Sequence, residues 1–499
     1  MLEAIRAILE PQTMLTFLGA MVWAIILGIL PGIGPTLAIA LTMPFTFYLP
    51  TAKALGLLVG IYNACIYGGS ITSILINVPG TPGSAATCAD GFAMSQKGEA
   101  GKALGISLSA SALGGFASAV CLLFFAPLIA KVALAFGPAE YFWLALWGLT
   151  VVAAVTTGSF LRGMIAAVFG FLLSLVGIDS ITGSSRFTFG SPYLLEGFDM
   201  LAVVIGTFAA SQVLVMANEG GTISKAGKIT GRVLDGLLVP FRHLATLIRS
   251  AVIGVLFGAV PAVGMSAASY FAYAEAVRFS KHPETFGSGE EEGVLAPEVA
   301  NNATVGGGLI PALTLGIPGT ESAAVLLGAI FAYGLRPGQN IFVEHVDVFF
   351  SMVFCLILSC LWMLILGIFG ANVWAKITIV PTEILVPLIT ITYFIGAYAS
   401  GAKIINIIVA FSMGLLAFVM KRHKYSLVAM MLAFVLGPMV EDNFVRASLI
   451  GGGSFVESFL SKPLSIFLAM LTLVSLVWAL RREIMMARKA VAGPSSSAA

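Results

Sequence analysis

Eleven long stretches of this chain contain no Asp, Glu, Lys or Arg: 11–52, 54–89, 103–130, 141–161, 200–218, 250–274, 299–320, 348–375, 384–402, 404–420 and 463–480. In a bilayer, runs of that kind can satisfy their backbone N–H and C=O groups only inside helices or closed barrels, and runs this long point to helices. At about 20 residues per crossing, these and a few shorter runs predict roughly 12 to 14 transmembrane or re-entrant segments in an all-α integral membrane protein. Composition agrees. Hydrophobic residues make up 59% of the 499 positions, charged residues 10%, and the mean hydropathy is +1.01, far from the charge content of a soluble domain.

The formal net charge is only +2, which leaves no basic surface for nucleic acid. Partners are therefore expected in the lipid bilayer, among membrane proteins and among small solutes. Five cysteines, Cys65, Cys88, Cys121, Cys355 and Cys360, sit mostly in apolar runs at spacings that fit neither a disulfide framework nor a zinc site. Near the N-terminus Arg6 stands between Glu3 and Glu10, and no A-x-A cleavage site precedes Pro31. The first apolar run reads as a retained span, not a signal peptide.

A short grammar occurs twice, 239 residues apart. Asn63-Ala64, Gly68-Gly69 and Pro79-Gly80-Thr81 in the first half match Asn302-Ala303, Gly307-Gly308 and Pro318-Gly319-Thr320 in the second. Upstream, residues 28–34 (GILPGIG) pair with 258–264 (GAVPAVG) at an offset of 230, and the longer polar loop 282–292 accounts for the growth to 239. The chain is a duplication, read as repeat 1 over 1–218, a cytoplasmic linker over 219–249, repeat 2 over 250–440, and a C-terminal span with a cytoplasmic tail over 441–499.

Lysine and arginine mark the cytoplasmic side. The linker carries Lys225, Lys228, Arg232, Arg242 and Arg249, the 421–424 loop is basic, and the tail holds Arg481, Arg482, Arg488 and Lys489, so the C-terminus is expected inside. The flank before the first repeat is slightly acidic and that before the second strongly basic. This opposite bias predicts two repeats of inverted topology with discontinuous helices, a design of secondary transporters that places the solute near the midplane.

The breaks carry the candidate chemistry. Pro31, Gly32 and Gly34, matched by Pro261 and Gly264, interrupt their runs, because proline lacks a donor and glycine permits unusual backbone angles. Helix N-termini at such breaks favour anionic groups such as carboxylates. Asn63, Ser70, Pro79, Gly80 and Thr81 in the first repeat, with Asn301, Asn302, Pro318, Gly319 and Thr320 in the second, form the expected substrate-binding set. Asp90, Glu298 and Glu321 beside the motifs are candidates for ion coupling. Freed carbonyls suit Na⁺ and these carboxyl groups suit H⁺. No metal or other cofactor is expected.

Small residues in spans are also ordinary packing positions, and Asn or Thr there also simply bond a neighbouring helix. An interfacial Asp or Glu can equally be a solvated helix cap. Duplicated clustering favours function, since polar groups are expensive to retain in a membrane. No phosphate loop G-x-x-x-x-G-K-[ST], no H-E-x-x-H and no G-x-S-x-G occurs, which argues against ATP use and against zinc or serine proteolysis.

At these residues the chain resembles the large membrane subunit of the tripartite tricarboxylate transporter family. The resemblance rests on residues 31–35 (PGIGP), 67–70 (YGGS) leading to 79–82 (PGTP) and Asp90-Gly91, then 292–303 (EGVLAPEVANNA) running into 313–319 (LTLGIPG). It spans nearly the whole chain except the Ser- and Ala-rich tail, and departs at 262, where Ala stands in place of glycine. It implies a multi-pass permease of the bacterial inner membrane that imports carboxylates on an ion gradient, with a small membrane subunit and a periplasmic solute-binding protein as partners. The alternatives are a stand-alone carboxylate carrier or channel and a membrane-embedded enzyme; the last would require an acid/base or metal set that is not visible.

Overall fold

The computed structural model describes residues 2–30, 32–133, 136–155, 159–179, 181–219, 230–261, 263–377, 382–399, 402–452 and 454–492. Pro31, Ala262 and residues 220–229 of the basic linker, with Lys225 and Lys228, lie outside them. Among the described residues eight helices are long and apolar enough to cross a membrane, and five shorter apolar helices of 10–17 residues accompany them. Among the described residues strand is confined to a two-stranded hairpin in which Gly177–Ile178 pairs with Ser185–Arg186. The protein is an all-α multi-pass membrane protein.

Its contacts divide the chain into two units, Met1–Ala133 with Met200–Phe418 and Leu134–Asp199 with Val419–Ala499. The first unit is built around two helices. The first core helix, Thr51–Ile76, is buried along its whole apolar window. The second core helix, Glu291–Leu315, is buried from Gly293 to Thr314 although it carries Glu298, two asparagines and two internal prolines. Those polar residues and the run of three glycines lower its hydropathy, so it is not among the eight helices that composition alone identifies.

Small residues let other helices press against these two. Gly114 of helix Ala100–Ala133 lies on the backbone of Val299, and Gly306 lies on that of Ser118. Gly254 of helix Leu244–Ala259 meets Ala300 in the same way, and Gly56 of the first core helix meets Ser351 and Cys355 of helix Val346–Ile377. Packing at backbone contact is how helices associate where no hydrophobic driving force separates them from lipid.

In the second unit, helices Pro138–Val155 and Phe160–Ser174 pack with Leu427–Ile450 and Pro463–Ala492. Gly170 sits on the backbone of Met430, Trp143 Nε1 donates to the Phe459 carbonyl at 3.0 Å, and buried Glu140 accepts from Ser465 Oγ at 2.5 Å. Phe142, Trp143, Phe444, Phe455 and Phe459 form one aromatic cluster. Arg186 pairs with Glu441 through both terminal nitrogens.

Candidate functional site

The duplicated motif folds twice into the same backbone device. The first core helix ends at Asn77 in the left-handed region (φ 57°, ψ 31°), and the second ends at the equivalent Gly316 (φ 73°, ψ 16°). Val78 N then donates back to Thr72 O at 3.4 Å, matched by Ile317 N to Pro311 O at 3.3 Å. Beyond the cap the chain doubles back along its own helix. Gly80 N donates to Gly69 O at 3.1 Å and Gly319 N to Gly308 O at 3.4 Å. A Cβ at Gly80 would lie 2.4 Å from the Gly28 carbonyl oxygen, and one at Gly319 1.8 Å from that of Gly258. Both contacts require glycine. They also join the Pro-Gly-Thr breaks to the upstream pair of motifs, in which Gly32 and Gly264 adopt positive φ and Gly34 precedes helix Pro35–Thr46. Pro261 is buried, and Thr36 and Ser322 link the two sets through their hydroxyls at 3.0 Å.

The two core helices meet at equivalent residues. Asn302 Nδ2 donates to Asn63 Oδ1 at 2.9 Å and to Asn63 O at 3.1 Å, and Asn63 Nδ2 donates to Ser359 Oγ at 2.9 Å. Further along, Ser70 bonds Glu298. Contacts therefore run forward on one helix, from 63 to 70, and backward on the other, from 302 to 298: the core helices pass antiparallel.

Glu298 is fully buried and collects four hydroxyls. Its Oε2 accepts from Ser70 at 2.7 Å, Ser111 at 2.9 Å and Ser107 at 3.1 Å, and its Oε1 accepts from Thr87 at 2.5 Å. Ser107 and Ser111 lie one turn apart on helix Ala100–Ala133 and so present one face. Among the described residues no ion pair involves Glu298. A buried carboxyl group surrounded by neutral donors can take up a proton or a hard cation, since oxygen ligands suit both.

Asn301 lies one turn further on the same helix, with its Oδ1 where a Cβ on Gly83 would come within 2.0 Å. Both polar atoms of its amide and Asn302 Oδ1 are buried without a hydrogen-bond partner, and Thr81 Oγ1 makes none beyond a loose capping contact with Ser84 N. At the second break Thr320 Oγ1 accepts from Ala323 N at 3.1 Å and bonds Tyr62 Oη at 2.8 Å.

The other acidic candidates stand apart from this cluster. Asp90 Oδ1 accepts from Gly289 N and Glu290 N, each at 2.8 Å, and its Oδ2 accepts from Tyr273 Oη at 2.8 Å. Its carboxylate thus ties the end of the 282–292 loop, just before the second core helix, to helices Cys88–Gln96 and Gly264–Phe279. Glu321 is exposed at the first position of helix Glu321–Ala332, and Pro79 and Pro318 occupy the turns before the breaks. The hydroxyls of Thr87, Ser107 and Ser111 belong to the site although no sequence motif marks them, whereas the phenol of Tyr62 closes the second break. An i,i+4 serine pair facing the one buried acidic residue of the second core helix is the signal that could have found two of them.

The Tripartite tricarboxylate transporter TctA family model matches residues 14–432. An uncharacterized 52.8 kDa protein of the TAR-I ttuC′ 3′ region of Agrobacterium vitis is 35% identical over 467 residues, 93% of this chain and 92% of its own. A second uncharacterized protein, from the TAR-II ttuC′ 3′ region of the same organism, is 33% identical over 227 residues, 46% of this chain and 93% of its own. No solved structure matches the chain. With the matched region embracing both breaks and Glu298, the chain belongs to the TctA family of tripartite tricarboxylate transporters.

Proposed function

We propose that this protein is the large permease subunit of a binding-protein-dependent secondary transporter, which imports small organic carboxylates across the bacterial inner membrane on an ion gradient. A small membrane subunit and a periplasmic solute-binding protein complete the system, and the C-terminus is cytoplasmic. Family membership supports the transport class. The observation that carries the solute and coupling assignment is the polar centre where the two core helices cross, with Glu298 bonded to four hydroxyls and unpartnered Asn301 one turn away.

The two positions explain coupling. Side chains three apart on a helix lie about 5–6 Å from each other, and two negative charges at that distance repel by about 3 kcal/mol at an effective dielectric of 20. A carboxylate solute seated at Asn301 therefore requires the charge of Glu298 to be neutralised. Sodium is the expected coupling ion, because freed carbonyls and hydroxyls at the breaks are hard oxygen ligands. One observation favours the proton as a second reading: Glu298 is fully buried and makes no ion pair among the described residues, so a proton on its own oxygen would neutralise it.

Uptake of a labelled di- and tricarboxylate panel into cells making this chain with the small subunit, with and without the binding protein, in sodium and in choline buffer, tests the reading. Sodium-stimulated uptake that needs the binding protein is expected. Uptake indifferent to that protein would indicate a stand-alone carrier, and stimulation by acid pH in choline would select the proton.

A further inference from the structure

The offset of 239 that relates the breaks pairs Thr81 with Thr320, Gly83 with Ser322 and Asn301 with Tyr62. The backbones correspond, but the side chains that reach them do not. At the second break Tyr62 crosses from the opposite core helix and closes on the Thr320 hydroxyl at 2.8 Å. At the first break the crossing residue is Asn301, shorter by most of a ring, and the residue beneath it is glycine where the second break has serine. The Asn301 amide lies in the room that glycine leaves, its Oδ1 where a Cβ at 83 would come within 2.0 Å. Both its polar atoms are buried without partners, and the Thr81 hydroxyl makes no hydrogen bond beyond a loose capping contact with Ser84 N, when buried polar groups are otherwise nearly always satisfied.

We propose that the first break alone holds the solute, with the Thr81 hydroxyl and the Asn301 amide hydrogen-bonding one carboxylate group, and that Tyr62 stands in the second break where a solute carboxylate would otherwise sit. The assignment is indifferent to which way the Asn301 amide is turned, because its nitrogen and its oxygen are both unpartnered. It rests on the carboxylate reading above and narrows it from two breaks to one.

Four variants test this: Thr81→Val and Asn301→Ala at the first break, Thr320→Val and Tyr62→Phe at the second. Each is compared with the parent chain, in the full three-component system, for uptake of whichever labelled carboxylate of the panel the parent transports. The detergent-purified chain is compared for Tm. Loss of one hydrogen bond to a charged group corresponds to a fall in uptake of about tenfold or more for the first pair, with little change for the second. The Tm of Thr81→Val should hold or rise, because a hydroxyl with only a loose capping contact has been removed, whereas Tyr62→Phe and Thr320→Val should lower it by breaking a formed bond. Equal falls in uptake at both breaks would overturn the inference and leave the carboxylate reading standing. A fall in Tm for Thr81→Val as large as that for Tyr62→Phe would overturn it too, by showing the Thr81 hydroxyl already bonded within the protein. A parent chain that takes up no carboxylate would sink the reading beneath it, and this inference with it.

Discussion

Glu298 concentrates the energetics of the site in one side chain. An ionised carboxylate in a dry interior costs several kcal/mol even after relaxation, and hydrogen bonds from four hydroxyls offset part of that at about 1.5–3 kcal/mol each. Glu298→Gln removes the ionisable group and keeps its shape. Hydroxyls can reverse to accept from the new amide, so the variant should reach the membrane at parent level while its uptake loses dependence on pH and sodium; an uptake profile still parallel to the parent's would remove Glu298 from coupling. Asp90 gives the contrasting case. Its two oxygens are spent on Gly289 N, Glu290 N and Tyr273 Oη, so Asp90→Ala should loosen the 282–292 loop, destabilise by about 1–3 kcal/mol, and leave the ion dependence of the remaining uptake intact. Faster proteolysis within that loop, beside an unchanged sodium response, is the result to look for.

The breaks were legible in the sequence because their backbone geometry demands particular residues at particular spacings. Gly80 and Gly319 each lie against a carbonyl from the upstream motif, and the two halves repeat that requirement at offsets visible by inspection. Adding one methyl group at either position forces the break away from its partner helix. Gly80→Ala and Gly319→Ala should each cost at least about 1–3 kcal/mol as overpacking of a tight contact, read as reduced yield and lower Tm. An unchanged Tm would mean that these turns are loose. Side chains that cross between repeats were not legible. Tyr62 and Asn301 occupy equivalent positions but are unlike in size and chemistry, and only the packing of the two core helices shows that each reaches the other repeat's break. The second core helix was legible in part, as the charge-free run 299–320; its first turns carry Glu291, Glu292 and Glu298 and fall outside that run, and Asn301, Asn302 and three glycines depress its hydropathy. The hairpin between Gly177 and Arg186 is a separate element with its own control. Asp179 accepts from Ile181 N at 3.0 Å and Thr182 Oγ1 at 2.5 Å, bonds that hold its carboxyl below the usual carboxylate range, the hydroxyl contributing most. Because the folded pKa is depressed, this support is complete above the ordinary Asp value near 4 and is lost only as pH falls through the lower, folded value. Hydrogen exchange at 181–184 should therefore stay slow at pH 5, after correction for the intrinsic rate, and protection already lost there would contradict the assignment.

Across the whole molecule, the antiparallel passage of the core helices bears on how the repeats are inserted. Two copies related by an axis along the membrane normal would send equivalent helices through the bilayer in the same sense, so a residue seven positions on from Asn63 would approach one beyond Asn302. Instead Ser70 reaches back to Glu298, with Asn63 and Asn302 touching at the crossing. An axis in the membrane plane through that crossing produces this order, and it is the arrangement of inverted repeats in secondary transporters. The opposite charge bias of the flanks, read by the rule that basic loops stay inside, carries the same expectation from independent residues, and on these two grounds we propose that the repeats are inverted. Lys97 and Arg336 are related by the offset of 239, and both are exposed at the end of the segment that follows their break. In a chain freed of its five cysteines, Lys97→Cys and Arg336→Cys should react differently with a membrane-impermeant maleimide: one in intact cells, the other only after the membrane is opened. Labelling of both from the same side would exclude inversion and with it the alternating access that an in-plane axis makes natural, since equivalent breaks would then face the same compartment throughout.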